Sequence, residues 1–143
     1  MATKKIFRFD DVSINSDMVT TNSMAKFLKE KFPDCIVLYG VSPAVNDMSE
    51  FSGIAKERVF PKIYNAYSDH RIFYKIDKLG IPDFIDGVTL ASHGLVHVDH
   101  RLLDKSAQEM SILISSSLVK SSVFIPPFNK YNQDTIDICK EHT

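Results

Sequence analysis

FRFDDVS, residues 7–13, is the stretch on which the reading of the fold turns. With Ile6 before it, the run from Lys4 to Phe9 is apolar and β-rich, and it reads as a strand. Asp10 and Asp11 close that strand. A strand end packed among other elements accepts aromatic rings easily. It accepts two carboxylates only where a partner, a cation or water compensates the charge. The pair therefore marks either a turn or helix cap, or a polar site built at the strand tip.

Outward from this point, strand and helix signals alternate. Ser23 to Phe32 carries Met24, Phe27, Leu28 and Phe32 at helical spacing, with Asn22 or Ser23 as the expected cap. CIVLYGV, residues 35–41, reads as a buried strand. Residues 42–53 read as irregular, and residues 57–74 are aromatic and charged without a decisive period. DGVTLAS, residues 86–92, is the next strand. Asp104 to Leu118 places Ala107, Met110, Leu113, Ile114 and Leu118 on one helical stripe. Residues 121–125 form a fourth strand that Pro126-Pro127 stops. Asn132 to Lys140 is a last helix, capped by Asn132, with Ile136 and Cys139 facing inward. This alternation predicts an α/β fold with a mostly parallel sheet.

At 143 residues the chain suits one domain with its own core. Seventeen basic against 18 acidic residues, with no basic stripe, argue against a nucleic-acid partner. Cys35 and Cys139 lie far apart and form no CxxC; Cys35 reads as a buried thiol, and nothing supports a disulfide. No segment reaches membrane-spanning length. MATKKIF runs straight into the first strand without a signal-peptide pattern, so a cytoplasmic protein is expected.

In α/β folds, chemistry gathers at the carboxyl ends of the strands. Three unusual segments fall on that rim: Asp10-Asp11, SHGLVHVDH (residues 92–100) and PPFNKYN (residues 126–132). Three of the five histidines lie within residues 93–100. His93 and His97 stand four apart, and neutral imidazoles with a carboxylate are a zinc-type donor set. Two histidines and one aspartate leave coordination positions open for water, and a second carboxylate beside them serves as a general base. Taken singly, each signal has a plainer reading: HxxxH as a surface or capping pair, DD as a turn, PP as a chain stop. Their common rim is what sets them apart.

In this order, the segments resemble the first three motifs of the NodB-type polysaccharide deacetylase domain, carbohydrate esterase family 4. The T-F-D-D-G-like first motif stands here as R-F-D-D-V, the H-S/T-x-x-H second motif as H-G-L-V-H, and the R-x-P-Y-like third motif as I-P-P-F-N. The resemblance spans residue 6 to about residue 132 and looks like a divergent branch, with some members linked to surface-polysaccharide loci. It implies the N-terminal part of a distorted (β/α) barrel. It implies Asp10 as catalytic base, and Asp11, His93 and His97 as ligands of a divalent metal, most often Zn2+. It implies a substrate groove lined by Pro127, Phe128 and Asn129, with His100 on the same rim, and a backbone N–H near Pro127 and Phe128 that steadies an oxyanion. The substrate class is an acetylated sugar or polysaccharide precursor, which loses its acetyl group to metal-activated water.

The sequence departs from the pattern in four ways. Ile125 stands where the family has the arginine that orients the base, and Val12 stands for the usual glycine. No residue clearly supplies the family's late general-acid histidine, His142 being too near the end. The chain stops soon after the third motif, so a missing C-terminal part or self-association into a homo-oligomer is expected. A metal- and sugar-binding module with weak or no turnover is the alternative. A phosphate-handling hydrolase with Asp10 as nucleophile needs an acid at position 12, where Val12 stands. The aromatic stretch of residues 56–77 reads first as a packed patch under a loop and second as a sugar-stacking wall. The serines of residues 111–122 lack a GxSxG frame.

Overall fold

The computed structural model describes residues 3–46 and 76–142. Its centre is a parallel sheet of three strands, β1 (Ile6–Val12), β2 (Ile36–Val41) and β5 (Val88–Ser92), in the order β1-β2-β5. A second, antiparallel pair joins β3 (Ala44–Asn46) to β4 (Ile76–Leu79). Three α-helices follow the chain: α1 (Met18–Lys31), α2 (Lys105–Val119) and α3 (Gln133–Glu141). The α/β class and mostly parallel sheet expected from the sequence are present. Among the described residues the sheet does not close into a barrel.

Strand alternation divides β1 into two faces. Phe7 and Phe9 turn to the α1 side, where Phe7 stacks on Phe32 and Phe9 meets the ring of Tyr39 edge-on. Val37, Tyr39 and Val41 of β2 and Ala25 of α1 complete this core. The Tyr39 hydroxyl, drawn inside with its ring, donates to Asn22 Oδ1 at 2.9 Å. That bond fixes α1 against the sheet and satisfies a polar atom whose burial is otherwise costly. A second core under β3 gathers Leu95, Val96, Val98, Leu103 and Ala107.

α1 begins earlier than the apolar stripe indicates. Asp17, not Asn22 or Ser23, is the cap: its carboxylate accepts from the Thr20 N–H at 3.0 Å and from the Thr20 hydroxyl at 2.8 Å. These bonds hold the Asp17 pKa below its ordinary value. In the first turn only Met18 packs against the core, followed by the exposed Val19, so hydrophobic periodicity gives little sign of it. The expected fourth strand is only a bridge between Ser92 and Phe124, with Ser92 N–H donating to Val123 O and Ile125 N–H to Ser92 O. Lys120 ends α2 in a left-handed conformation, Ser121 caps the Val123 amide, and Pro126 and Pro127 have no N–H to donate; little ladder fits between them. β5 starts at Val88 because Asp86-Gly87 forms a turn, Gly87 having φ +85°. β3 lies inside the stretch expected to be irregular. The aromatic and charged stretch of residues 57–74 lies outside the described residues.

The last helix matches its expected start. Asn132 and Thr135 form a reciprocal capping box, and the buried Gln108 of α2 donates to Asn132 Oδ1 while accepting from the Thr135 hydroxyl. α3 is thereby tied to α2.

Candidate metal centre

The chain reaches the site first at the end of β1. Pairing with β2 runs in register from Ile6 to Phe9, then skips to Val12. Asp11 sits in this irregularity with φ +60°, a left-handed conformation that aspartate accepts more readily than most residues. Such a bulge redirects a side chain. Here it swings the Asp11 carboxylate toward two histidines that come from the far side of β2.

Those histidines follow β5 in a loop rather than a helix. His93 is only 1% exposed. Its N–H donates to Val41 O at 2.8 Å and its carbonyl accepts from the Ser42 hydroxyl at 2.8 Å. Its ring Nδ1 lies 2.7 Å from the Ile125 carbonyl, which can only accept, so Nδ1 carries the proton. In the neutral ring, Nε2 then presents a lone pair, and it points at Asp11 Oδ1 from 3.1 Å. His97 Nε2 lies 2.6 Å from the same oxygen. That approach is short but is not aligned as a hydrogen bond, for the buried Nε2 has no hydrogen-bond partner. Burial lowers the His97 pKa; Asp11 partly offsets this and His93 adds to it. A neutral imidazole is the ligand form.

Two ring nitrogens and one carboxylate oxygen thus converge, all within 4.8 Å of one another. Lone pairs crowded onto an anionic oxygen repel unless a proton or cation lies among them. The orphaned Nε2 of His97 and the fixed tautomer of His93 fit a divalent ion at this point. The expected trio Asp11, His93 and His97 is brought together.

Asp10 stands beside it. Its Oδ2 is 2.8 Å from Arg8 Nη2, while its Oδ1 is buried and unpartnered. Gly40 of β2 makes room there: a Cβ on it would lie 3.2 Å from Asp10 Oδ1 and 3.5 Å from His93 Cγ. Phe128 covers the other side, its ring 4.5 Å edge-on from that of His97. Phe128 and Asn129 both have positive φ, 58° and 56°, so the turn after Pro127 is held in an uncommon shape.

His100 requires a correction. It was expected on the groove, yet it has no exposed surface. Nδ1 donates to Val98 O at 3.0 Å, and Nε2 accepts from the Ser111 hydroxyl at 2.9 Å, which in turn accepts from Leu95 N–H at 3.0 Å. Burial lowers its pKa to about 4. His100 is a strut beneath the loop that carries His93 and His97. Gly94, with φ +80°, leaves the space that its ring occupies: a Cβ there would fall 2.7 Å from His100 Cε1. His142 pairs with Glu109 at 3.0 Å, away from the histidine trio. The residue that sequence reasoning missed is Arg8. Its signal was available, since residues 8 and 10 share one face of a strand.

No family model matches the chain, and no curated protein matches it. Solved structures do match. The Streptococcus pyogenes deacetylase PplD, solved in complex with acetate, aligns with a TM-score of 0.51 at 14% identity, over 94% of this chain and 50% of that one. The Xyl-CE4 domain of a multidomain xylanase from the hindgut metagenome of Trinervitermes trinervoides aligns with a TM-score of 0.49 at 17% identity, over 94% and 54%. The described fold is similar to about half of the Streptococcus deacetylase. The chain spans about half the length of these structures. Among the described residues, no helix is long and apolar enough to cross a membrane.

Proposed function

We propose that the chain carries the catalytic rim of a metal-dependent hydrolase that removes acetyl groups from a sugar. One observation supports this reading above the others. Two imidazole nitrogens with lone pairs available converge on a carboxylate oxygen, beside a second carboxylate whose buried Oδ1 has no partner.

Asp11, His93 and His97 hold the ion; zinc suits two nitrogens and one oxygen. When bound, such an ion supplies Lewis acidity toward water and toward a carbonyl oxygen. The remaining roles fall to the chain. The Ile125 carbonyl keeps His93 in the ligating tautomer. Asp10 Oδ1 takes the proton of the attacking water. The water oxygen bonds to the acetyl carbon, the bond from that carbon to the sugar nitrogen or oxygen breaks as Asp10 returns its proton to that atom, and acetic acid, which ionises to acetate, leaves with the freed amine or alcohol. The amides of Asn129 and Lys130 are committed within the turn, to Pro126 O at 3.0 Å and Pro127 O at 3.2 Å. The reading therefore assigns the oxyanion to the Phe128 N–H. The exposed Phe128 ring offers a face to the sugar, with Pro127 and Asn129 beside it.

Removal of an acetyl group is supported by the fold similarity to the Streptococcus deacetylase, and the sugar class rests on the order of the three motifs. A surface-polysaccharide precursor handled in the cytoplasm is the substrate and setting this reading favours.

Acetate release from N- and O-acetylated sugar oligomers by zinc-loaded protein is the test. Wild type releases acetate and binds about one ion per chain. Asp10→Asn keeps the ion and loses about 10²- to 10⁴-fold in rate. Metal uptake without acetate release leaves a metal- and sugar-binding module instead. No metal uptake at all removes the hydrolase reading.

A further inference from the structure

We propose that Arg8 is the positioning residue for Asp10, supplied from β1 itself; the inference rests on the hydrolase reading. Arg8 Nη2 carries two hydrogens. It donates to Asn129 Oδ1, 2.7 Å away, and lies 2.8 Å from Asp10 Oδ2 as an ion pair. A single nitrogen therefore joins the strand bearing the base to the turn bearing Phe128.

The consequence for Asp10 is orientation. A carboxylate free to rotate presents either oxygen; one held at Oδ2 presents Oδ1. That second oxygen is the buried, unpartnered one, in the space left by Gly40. Arg8 thus removes the rotational choice. It also fills the place left open by Ile125, whose contribution to the site is its backbone carbonyl. Asn129 meets Arg8 from a left-handed backbone, φ 56°. Sequence position hides the link, for the two residues stand 121 apart.

Arg8 is 40% exposed, so the pair contributes little to folding. That separates a positioning role from a structural one. Arg8→Ala is expected to lower kcat about 10²-fold while KM, zinc affinity and the unfolding midpoint stay near wild type. Added guanidinium restores part of the rate, and Arg8→Lys restores less because it lacks the planar fork. A second measurement needs neither metal nor activity. In metal-free protein, the Arg8 Nη resonances show slowed rotation about Cζ–Nη, and Asn129→Ala or Asp10→Asn abolishes it. Wild type that releases acetate, with Arg8→Ala equally fast or Arg8 resonances averaged like those of a solvent arginine, overturns the inference alone. Wild type with slowed Arg8 resonances but no acetate release overturns the hydrolase reading, and the positioning role with it.

Discussion

The two halves of the site are built by opposite means. The histidine half is interior: His93 is 1% exposed, backed by Ile125, Ser42 and Val41, and underpinned by the His100–Ser111 pair. The carboxylate half is at the surface. The Asp11 side chain is 69% exposed, stands on a left-handed bulge, and has Asp10 and Arg8 as neighbours on an edge strand. The histidines are fixed by the same contacts that fold the protein; the acids are fixed by local geometry and a surface clamp. Substitutions in the two halves should therefore separate metal binding from stability.

Ordered by effect on folding, His93→Ala comes first. It removes a buried ring and leaves the Ile125 carbonyl unpaired, so unfolding in urea should show a loss of about 3 kcal/mol, alongside lost zinc affinity by calorimetry. An unchanged unfolding midpoint would break the contrast.

His100 gives a comparable effect through pH. Its ordinary pKa is 6.5 and burial lowers it to about 4 in the fold. Between these values the unfolded chain binds the extra proton, so stability is fully present above pH 6.5 and falls as pH drops toward 4. The loss is on the order of 3 kcal/mol. His100→Asn should remove this portion of the pH dependence in denaturation curves taken from pH 7 to 4.

Asp11→Asn is the smallest. Asparagine accepts the same left-handed backbone, so the unfolding free energy should stay within about 0.5 kcal/mol of wild type. Zinc affinity should nevertheless fall at least tenfold. A large loss of stability here would show that the bulge is held by its charge.

Much of the frame was legible because its signals are local. The apolar run of residues 35–41 is a largely buried strand, whereas the stripe of residues 104–118 marks the helix but not its inner face: Leu113, Ile114 and Leu118 are exposed, and Ala107, Gln108, Ser111, Ile112, Ser115 and Val119 are buried. Asn132 announces its helix because its partner, Thr135, is three residues away. Asp11, His93 and His97 were legible only through motif order, since no pattern within the chain says that residues 82 apart will meet. What escaped depends on distance or on backbone detail. β3 finds its partner across more than thirty residues. His100 looked like a rim residue because its position follows His93 and His97, yet the Gly94 turn folds it beneath them. Arg8 was masked by its apolar neighbours, although its spacing from Asp10 placed it on the same face.

Gly94 carries an evolutionary consequence. Its missing side chain and the His100 ring claim the same few cubic ångströms. A β-carbon at 94 would meet not only that ring but also the Val96 carbonyl, 3.0 Å away, on a backbone at φ +80°, so divergent sequences with this architecture should keep glycine at 94 whatever stands at 100, and a chain that lost it would tilt the loop bearing His93 and His97.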